Sequence, residues 1–406
     1  MIKMIIIERQ EMMRSKLLSI ILMILVCAFS LSCQGQKIWP TEGWKKSSPA
    51  AQGLDEKFLS DLDKKIANGD YGYIDGFIVI RNGYLVYEKF YRHDYVKINQ
   101  GLDDSEWQYN YYNPDWHPFY KETKLHTLQS VTKSVTSAAI GIAVGRKELP
   151  GVEVKIVDIF KDEEIENLDE QKKRMSLEDV LTMRAGIDWN ESIPYTDPNN
   201  TCIQLEASDD WFKFVINRPM EAEPGTVFEY NSGASMLLSA VIRESTGMHI
   251  DKYAEKYLFK PLGISRYYWK ITPTGLPDTE GGLYLEPYDL AKIGYLYLND
   301  GIWDGRPILP EGWVKSTVTP HVRDIAPDND DINTAYGYQW WLAPYDSQSK
   351  EYIYACSGYG GQYLLVATKY NLIAVINGWN IYEKPSISGR VFFDYVLKAI
   401  KNTGRD

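Results

Sequence analysis

The order of strand and helix signals along the chain constrains its fold more than any other feature. The early segment GFIVIRNGYLVYEKFY (residues 76–91) has two β-rich runs around Asn82-Gly83, which predicts a hairpin with a primed turn. Helical periodicity dominates from Ser130 to about Gly263. Strand signals return late, at residues 334–342, 352–368 and 371–379, before a last helix at 388–400. We therefore predict an α+β fold (an α/β sandwich), in which both ends of the chain complete one antiparallel sheet flanked by helices, with an all-helical lobe inserted between them.

The N-terminus has the pattern of an export signal. Arg14 and Lys16 precede an apolar run that ends in small residues at Cys33, and this arrangement is typical of secretory signals. Cys33, preceded by Leu31 and Ser32, resembles the lipidated cysteine of bacterial lipoproteins; a plain secretory peptide cut near the same place is the alternative. We expect the mature protein in the bacterial cell envelope, either periplasmic or held at the membrane by a lipid anchor on Cys33.

These signals also suggest how the chain is divided. Its 406 residues, 44% of them hydrophobic, suffice for one large domain or two modest ones. We expect an export signal at 1–33, a polar linker at 34–50 and one folded domain at 51–406. Within that domain we expect a sheet lobe at about 51–127 and 264–406, and a helical lobe at about 128–263.

Charge and residue spacing exclude several kinds of partner. The formal net charge is -11 and no long basic run is present, whereas nucleic-acid binding requires clustered Lys and Arg. The five histidines are scattered, and no His, Cys, Asp or Glu spacing indicates zinc. We therefore expect no nucleic-acid partner, no metal and no organic cofactor, and the oligomeric state is left open.

The segment TLQSVTKSVTSAAIG (127–141) places Ser130 and Lys133 on one face of an otherwise small and apolar helix. A serine hydroxyl is a poor nucleophile until a base accepts its proton. Lysine can be that base if burial and a nearby cation lower its pKa. The spacing alone also fits a solvated helix face, so the rest of the chain has to decide between the two interpretations.

Two further segments contain groups that would complete an acyl-transfer site. Tyr230 ends a short extended run just before a helix, where a tyrosine can exchange a proton with Lys133 and deliver it to a leaving group. Near the C-terminus, Gly358, Gly360 and Gly361 begin a strand, and glycines allow the backbone to approach a ligand closely. A backbone N–H from that strand, paired with the N–H of Ser130, would form an oxyanion hole.

With these motifs the chain resembles the serine β-lactamase and penicillin-binding-protein superfamily. The resemblance extends over about 51–400 and is closest to the class C-like serine hydrolases, which include esterases and 6-aminohexanoate-dimer hydrolases. The motifs of that group match Ser130, Lys133, Tyr230 and the run Tyr359-Gly360-Gly361. The resemblance implies an acyl-enzyme mechanism and a cleft in which these residues meet.

Two departures from the group's pattern bear on the substrate. Tyr230 is followed by Asn231 and Ser232, so asparagine is not two residues on, and either side chain is a candidate for the missing polar contact. Tyr359 replaces the lysine that holds a substrate carboxylate in β-lactamases and peptidases. A neutral tyrosine favours an ester or amide without a carboxylate there, unless Arg390 supplies the charge.

The sequence therefore predicts an exported serine hydrolase that cleaves an ester, amide or peptide bond of a small molecule. Ser130 attacks the carbonyl, Lys133 and Tyr230 act as acid and base, and the backbone N–H groups of Ser130 and Gln362 hold the oxyanion. Which of Lys133 and Tyr230 is the resting base is left open. Trp189, which follows a helix end, is a candidate for lining the cleft. The alternatives are a β-lactamase or D-Ala peptidase and, third, a non-enzymatic penicillin-sensing protein.

Overall fold

The hairpin of residues 76–91 forms one edge of a large antiparallel sheet in a computed structural model of the protein. Asn82 and Gly83 have φ angles of 52° and 81°, the left-handed pair that a primed two-residue turn requires, so the predicted hairpin is confirmed. The structure describes residues 37–102, 117–325, 334–346, 348–382 and 386–401. The predicted export signal and Cys33 lie outside these residues.

Both ends of the chain contribute strands to this sheet. In chain order the strands are β1 (Ile74–Arg81), β2 (Tyr84–Phe90), β3 (His126–Thr127), β4 (Tyr268–Trp269), β5 (Leu283–Leu285), β6 (Ile302–Trp303), β7 (Arg306–Pro307), β8 (Val322–Arg323), β9 (Ala335–Tyr336), β10 (Trp341–Pro344), β11 (Tyr352–Gly358), β12 (Gln362–Ala367) and β13 (Leu372–Gly378). The main sheet has the order β2-β1-β13-β12-β11-β10-β9-β8, and neighbouring strands are antiparallel. The remaining strands form a small sheet, β3-β5-β4, and the pair β6-β7.

The helices lie mainly between the early and late strands. In chain order they are α1 (Glu56–Ala67), α2 (Tyr95–Ile98), α3 (Val131–Gly145), α4 (Ile156–Ile159), α5 (Glu170–Arg174), α6 (Leu177–Leu181), α7 (Thr201–Glu206), α8 (Trp211–Ile216), α9 (Ser232–Thr246), α10 (Ile250–Ala254), α11 (Pro287–Leu298) and α12 (Trp313–Thr317). Wider π-helical turns follow at Glu255–Phe259 and Phe392–Leu397. No helix in the described ranges is long and apolar enough to cross a membrane.

The main sheet separates two hydrophobic cores. On one face, Phe77 and Val79 pack with α1 and the C-terminal turn Phe392–Leu397. On the other face, Ile78 and Ile80 pack with α11 and the helices that follow Ser130 in the chain. The alternation of neighbouring residues between the two faces is the period expected of a strand buried on both sides. The predicted sandwich, an antiparallel sheet flanked by helices, is therefore confirmed.

Helix α3, one of the helices between the early and late strands, is buried on nearly all sides. Its small residues permit close helix packing. A Cβ atom added to Gly141 would lie 2.4 Å from the Trp313 ring, so any larger residue there would displace α12. The lobe therefore holds the start of α3, and with it Ser130, in a fixed position against the sheet.

Residues 39–50 differ from the linker expected at 34–50. The compact unit of the chain begins at Trp39. The Trp39 and Trp44 rings lie 5.6 and 5.5 Å from the Tyr295 ring, and the Trp44 indole N–H donates to the Tyr288 carbonyl oxygen at 2.9 Å. The two tryptophans are half-buried and pack against α11, so this stretch is part of the folded domain.

The strand expected at 334–342 is instead two short strands, β9 and β10, that pair with each other. Gln339 between them has a left-handed φ of 61°. A Cβ atom at Gly337 would lie 1.8 Å from the Thr317 carbonyl oxygen, so the chain turns where it meets α12. The turn leaves Trp340 fully buried and Trp341 half-buried.

Candidate active site

Ser130 lies where a short extended segment turns into helix α3. The residue before it, Gln129, has a left-handed φ of 47°, which is uncommon for a residue other than glycine. Ser130 occupies the N-cap position of α3 without making a capping hydrogen bond. Its Oγ instead accepts a hydrogen bond from Lys133 Nζ at 2.9 Å. The hydroxyl is only partly buried, so a substrate carbonyl can approach it.

Lys133 is 1% exposed and its ammonium is surrounded by acceptors. Besides Ser130 Oγ, Nζ donates to the Glu280 carbonyl oxygen at 2.7 Å and lies 3.7 Å from Glu280 Oε2. Burial alone would lower the pKa of Lys133, but Tyr230, Glu280 and Glu191 together outweigh it and raise that pKa above its usual value. On the sequence alone, a nearby cation is expected to lower the pKa of Lys133. The structure instead places carboxylates near Lys133, and its pKa is raised. These neighbours therefore favour the ammonium form of Lys133.

Tyr230 completes the group predicted from the sequence. Lys133 Nζ lies 5.1 Å from the centre of the Tyr230 ring, and that ring also stacks on the Trp341 ring at 5.6 Å with 17° between the planes. Burial raises the pKa of the Tyr230 phenol, and the Lys133 ammonium and Ser130 hydroxyl beside it only partly offset this. Tyr230 thus meets Ser130 and Lys133, which lie about 100 residues earlier in the sequence, at Lys133 Nζ.

The glycine-rich run near the C-terminus forms the turn between β11 and β12, where Gly358 pairs with Gln362. Gly360 and Gly361 have φ angles of 79° and 95°, which favour glycine. A Cβ atom at Gly358 would lie 2.5 Å from the carbonyl oxygen of Leu128. This close approach places the end of β11 against the residues that immediately precede the nucleophile. The Tyr359 ring lies 5.0 Å from the Tyr195 ring.

The two polar residues after Tyr230 do not point toward Ser130. Asn231 caps α9, and its side chain accepts from the Ala234 N–H at 2.7 Å. Ser232 is buried, and its Oγ donates to Glu191 Oε1 at 2.7 Å. The group's missing asparagine is thus not replaced by direct contact from either side chain.

Glu191 is a site residue that the sequence analysis did not identify. Its carboxylate accepts from the Ser232 N–H at 2.8 Å and from Ser232 Oγ. It also accepts from Trp189 Nε1 at 2.8 Å and from the Tyr195 hydroxyl at 2.7 Å. Trp189, which was expected to line the cleft, is only 2% exposed. It is buried and holds the Glu191 carboxylate through its indole N–H. Glu191 therefore fixes the start of α9, and its charge favours the protonated form of Lys133.

A second acidic cluster, Glu280 with Glu206 and Cys202, lies behind Lys133. The potential ligand atoms of these three residues lie within 4.8 Å of one another. The Lys133 ammonium, 3.7 Å from Glu280 Oε2, already supplies a cation beside them. Burial, reinforced by a hydrogen bond with Glu280, raises the pKa of Glu206 well above its usual value, and burial raises the pKa of Asp278 to about 7. The raised pKa of Glu206 favours its neutral form, which lowers the negative charge of this cluster.

The sequence profile of the Beta-lactamase family matches residues 75–378, which is more than half of the chain and includes every residue of this site. The chain belongs to the Beta-lactamase family. The superfamily resemblance inferred from the motifs is thereby confirmed, and the protein is grouped with hydrolases.

Over part of its length the chain is similar to proteins described as hydrolases and carboxypeptidases. A 6-aminohexanoate-dimer hydrolase of Paenarthrobacter ureafaciens is 26% identical over 179 residues, 40% of this chain and 45% of that protein. The chain spans about half the length of the curated relatives it matches.

Solved structures show the shared fold. EstCE1, described as a hydrolase with promiscuous acyltransferase activity, superimposes with a TM-score of 0.65 at 16% identity, covering 87% of this chain and all of the other. The octameric penicillin-binding protein homologue from Pyrococcus abyssi gives a TM-score of 0.58 at 19% identity, covering 84% and 76% of the two chains.

Proposed function

We propose that this protein is an exported serine hydrolase that cleaves an ester or amide bond through an acyl-enzyme on Ser130. The observation that carries the proposal is the 2.9 Å contact between Ser130 Oγ and Lys133 Nζ, with the Tyr230 ring over the same ammonium. Acyl transfer requires a nucleophile that the substrate can reach and groups that accept and return its proton. Ser130 supplies the partly buried hydroxyl, and Lys133 and Tyr230 supply the proton-carrying groups beside it. Relatives that act on amide and ester substrates support the same reaction class.

The proposed reaction has two balanced halves. In the first, Ser130 Oγ bonds to the substrate carbonyl carbon, and its proton passes to the pair Lys133–Tyr230. The bond to the leaving group then breaks, and the pair returns the proton to the departing oxygen or nitrogen. In the second half, water bonds to the acyl carbon and loses a proton to the same pair. The bond between that carbon and Ser130 Oγ then breaks, the pair returns the proton to Oγ, and the acid leaves. The N–H groups of Ser130 and Gln362 are the proposed oxyanion donors, because the end of β11 lies against the residues before Ser130.

The protonation state of Lys133 and Tyr230 predicts how activity depends on pH. Both pKa values are raised, so the resting pair holds a full set of protons and must lose one before it can accept the Ser130 proton. The competent form is then scarce at neutral pH and increases with pH. We expect kcat/KM to rise about tenfold per pH unit from pH 6 into the alkaline range. A pH profile with one neutral ester, with thermal melts at each pH as the control, measures this, and a plateau already reached at pH 6 would contradict it.

The substrate class follows from the turn between β11 and β12. Tyr359 there is neutral, and the alternative cation, Arg390, is largely exposed and lies 3.8 Å from Asp394. We therefore propose that neutral esters or amides are preferred over substrates with a carboxylate at this place.

The change Tyr359→Lys tests this preference. It should favour a carboxylated ester over its neutral partner by about 10- to 100-fold relative to wild type, because a charge-assisted hydrogen bond contributes roughly 1.5–3 kcal/mol. The measurement is kcat/KM for both esters on both proteins, with Tyr359→Phe as the control that keeps the ring. A wild type that already prefers the carboxylated ester by about tenfold would contradict the proposal, and hydrolysis of β-lactams or D-Ala peptides would become the better interpretation.

We also propose that the mature protein is a lipoprotein of the cell envelope, acylated at Cys33. The proposal rests on the sequence around Cys33. Several acyl chains anchor a protein far more firmly than one does, so Cys33→Ala should abolish membrane retention or block processing, while Cys27→Ala, within the apolar run, should not. Cell fractionation with labelled fatty acid measures both, and unchanged membrane retention of Cys33→Ala would exclude the lipid anchor.

A further inference from the structure

A second cavity, which has no part in the proposed reaction, opens between the edge of the main sheet and the N-terminus of α11. Its volume is about 380 Å³, within the size range of pockets that bind small molecules. Its walls are mostly apolar and include Phe90, Phe119, Pro287 and Tyr288. Its polar groups are concentrated around Asp75 and Asn377.

Asn377 presents a carbonyl oxygen that has no donor among the described residues. Gln362 Nε2 donates to the Gly378 carbonyl oxygen, so Gln362 Oε1 must act as an acceptor. Asn377 Nδ2 fills that role as donor at 3.1 Å. This network fixes the orientation of the Asn377 amide, and its Oδ1 is buried and unpartnered. Asn377 itself is 1% exposed.

Asp75 presents a second such oxygen. A β-bulge between Ile74 and Gly76 changes the direction in which the Asp75 side chain leaves the strand. Its Oδ2 accepts from the Tyr95 hydroxyl at 2.6 Å and faces His126 Nε2 at 3.0 Å. Its Oδ1 is buried and has no donor in the part of the chain that the structure describes. Buried acceptors are almost always paired, so two unpaired ones beside an apolar cavity point to a ligand.

We propose that this cavity binds a small molecule with an apolar body and a primary ammonium group. An ammonium has three N–H donors and can satisfy Asp75 Oδ1 and Asn377 Oδ1 together. A hydroxyl has one donor and would leave one of these oxygens unsatisfied. The phenyl and proline walls then cover the apolar body.

The other charged groups around the cavity are compatible with this ligand. Glu286 is paired with Arg266 at 2.6 Å. Arg92 and Lys124 are exposed to solvent, where water and salt screen their repulsion of a cation. The Asp75 carboxylate is buried and is less screened than these groups, and its neighbour His126 contacts Oδ2, not the unpartnered Oδ1.

Gly76 allows the cavity to be blocked without changing its polar groups. It pairs with Asn377 and faces the same side of the sheet as Ile78. A Cβ atom at Gly76 would lie 3.4 Å from the Phe90 ring and 3.9 Å from Pro287 Cγ, which is ordinary contact. Gly76→Ala should therefore keep most of the cavity, and Gly76→Leu should fill it.

The experiment is a titration of the full-length protein with benzylammonium, benzyl alcohol and benzoate by saturation-transfer NMR. We expect benzylammonium to bind at least about tenfold more tightly than either of the other two, because only it brings a positive charge and three N–H donors to a buried carboxylate. Gly76→Leu should weaken its binding about tenfold or more, whereas Gly76→Ala should leave it within about threefold. Equal affinity for the three probes, or binding that Gly76→Leu does not change, would overturn the proposal.

A second variant should reverse the charge preference of the same cavity, from a cation to an anion. The change Asp75→Asn replaces one of the two carboxylate oxygens with an NH₂ donor and removes the negative charge from the cavity. We expect this variant to lose benzylammonium binding and to bind benzoate more tightly than the wild type does, with thermal melts confirming a folded protein. A folded Asp75→Asn protein that keeps the wild-type preference for benzylammonium would also overturn the proposal.

Discussion

Replacing Ser130 with alanine should lower kcat/KM by a factor on the order of 10³ or more for every substrate the wild type hydrolyses. The change removes the oxygen that forms the acyl-enzyme, and the Lys133–Tyr230 pair then has no nucleophile to activate. Stability should change little, because the substitution removes one small hydroxyl, and a hydrogen bond such as the one that Ser130 Oγ accepts from Lys133 contributes about 1 kcal/mol.

The matched control is Ser137→Ala. Ser137 lies on the same helix, is fully buried, and its Oγ has no hydrogen-bond partner within the described ranges. Removing this hydroxyl should leave both kcat/KM and the melting temperature near wild type. Steady-state kinetics and thermal melts on the two variants separate loss of the nucleophile from loss of a buried hydroxyl. Wild-type turnover by Ser130→Ala would show that another residue is the nucleophile.

Gly358→Ala should have the second largest effect, a loss of kcat/KM of about 10². The new Cβ atom would lie 2.5 Å from the Leu128 carbonyl oxygen and 3.0 Å from Gln362 Cβ. Backbone atoms cannot move aside as a flexible side chain can, so either the segment that carries Ser130 or the strand that carries Gln362 must shift. A shift of about 1 Å is enough to misalign a nucleophile and its oxyanion donors, and overpacking should cost roughly 1–3 kcal/mol of stability.

Gly281→Ala is the control for this prediction. Gly281 also lies against the segment before Ser130, but an added Cβ atom would be 3.7 Å from Gln129 Oε1, its nearest neighbour. We expect near-wild-type kcat/KM for Gly281→Ala and a clear loss for Gly358→Ala under identical conditions. If Gly358→Ala retained wild-type kcat/KM, the turn between β11 and β12 would not contribute to the site as proposed.

Local chemistry explains what the sequence could predict. Asn82-Gly83 predicted the hairpin because few residue pairs tolerate two left-handed φ angles. Ser130 and Lys133 were predicted to meet because a helix fixes the distance between residues three apart. The structure also brings Tyr230 to the same ammonium, although that position came from a motif and not from periodicity.

The site residues and the chain turn that the sequence did not predict depend on contacts between distant segments. Glu191 and Glu280 come from irregular segments, and nothing in their neighbours predicts that both approach Lys133. The effect on chemistry is large, because their charges reverse the direction expected for the Lys133 pKa. The segment 334–342 was predicted as one strand because its composition is β-rich, yet the approach of Gly337 to the Thr317 carbonyl oxygen turns the chain there.

Labelling with a fluorophosphonate tests the central claim most directly, because this reagent forms a stable bond to an activated serine oxygen with loss of fluoride. Peptide mass spectrometry of the labelled full-length protein should find one adduct, on Ser130, that forms at the same rate as activity is lost. The adduct should be absent from Ser130→Ala and present in Ser137→Ala. An adduct on a different residue that accompanies the loss of activity, or complete turnover by protein fully labelled at Ser130, would contradict the assignment of Ser130 as the nucleophile.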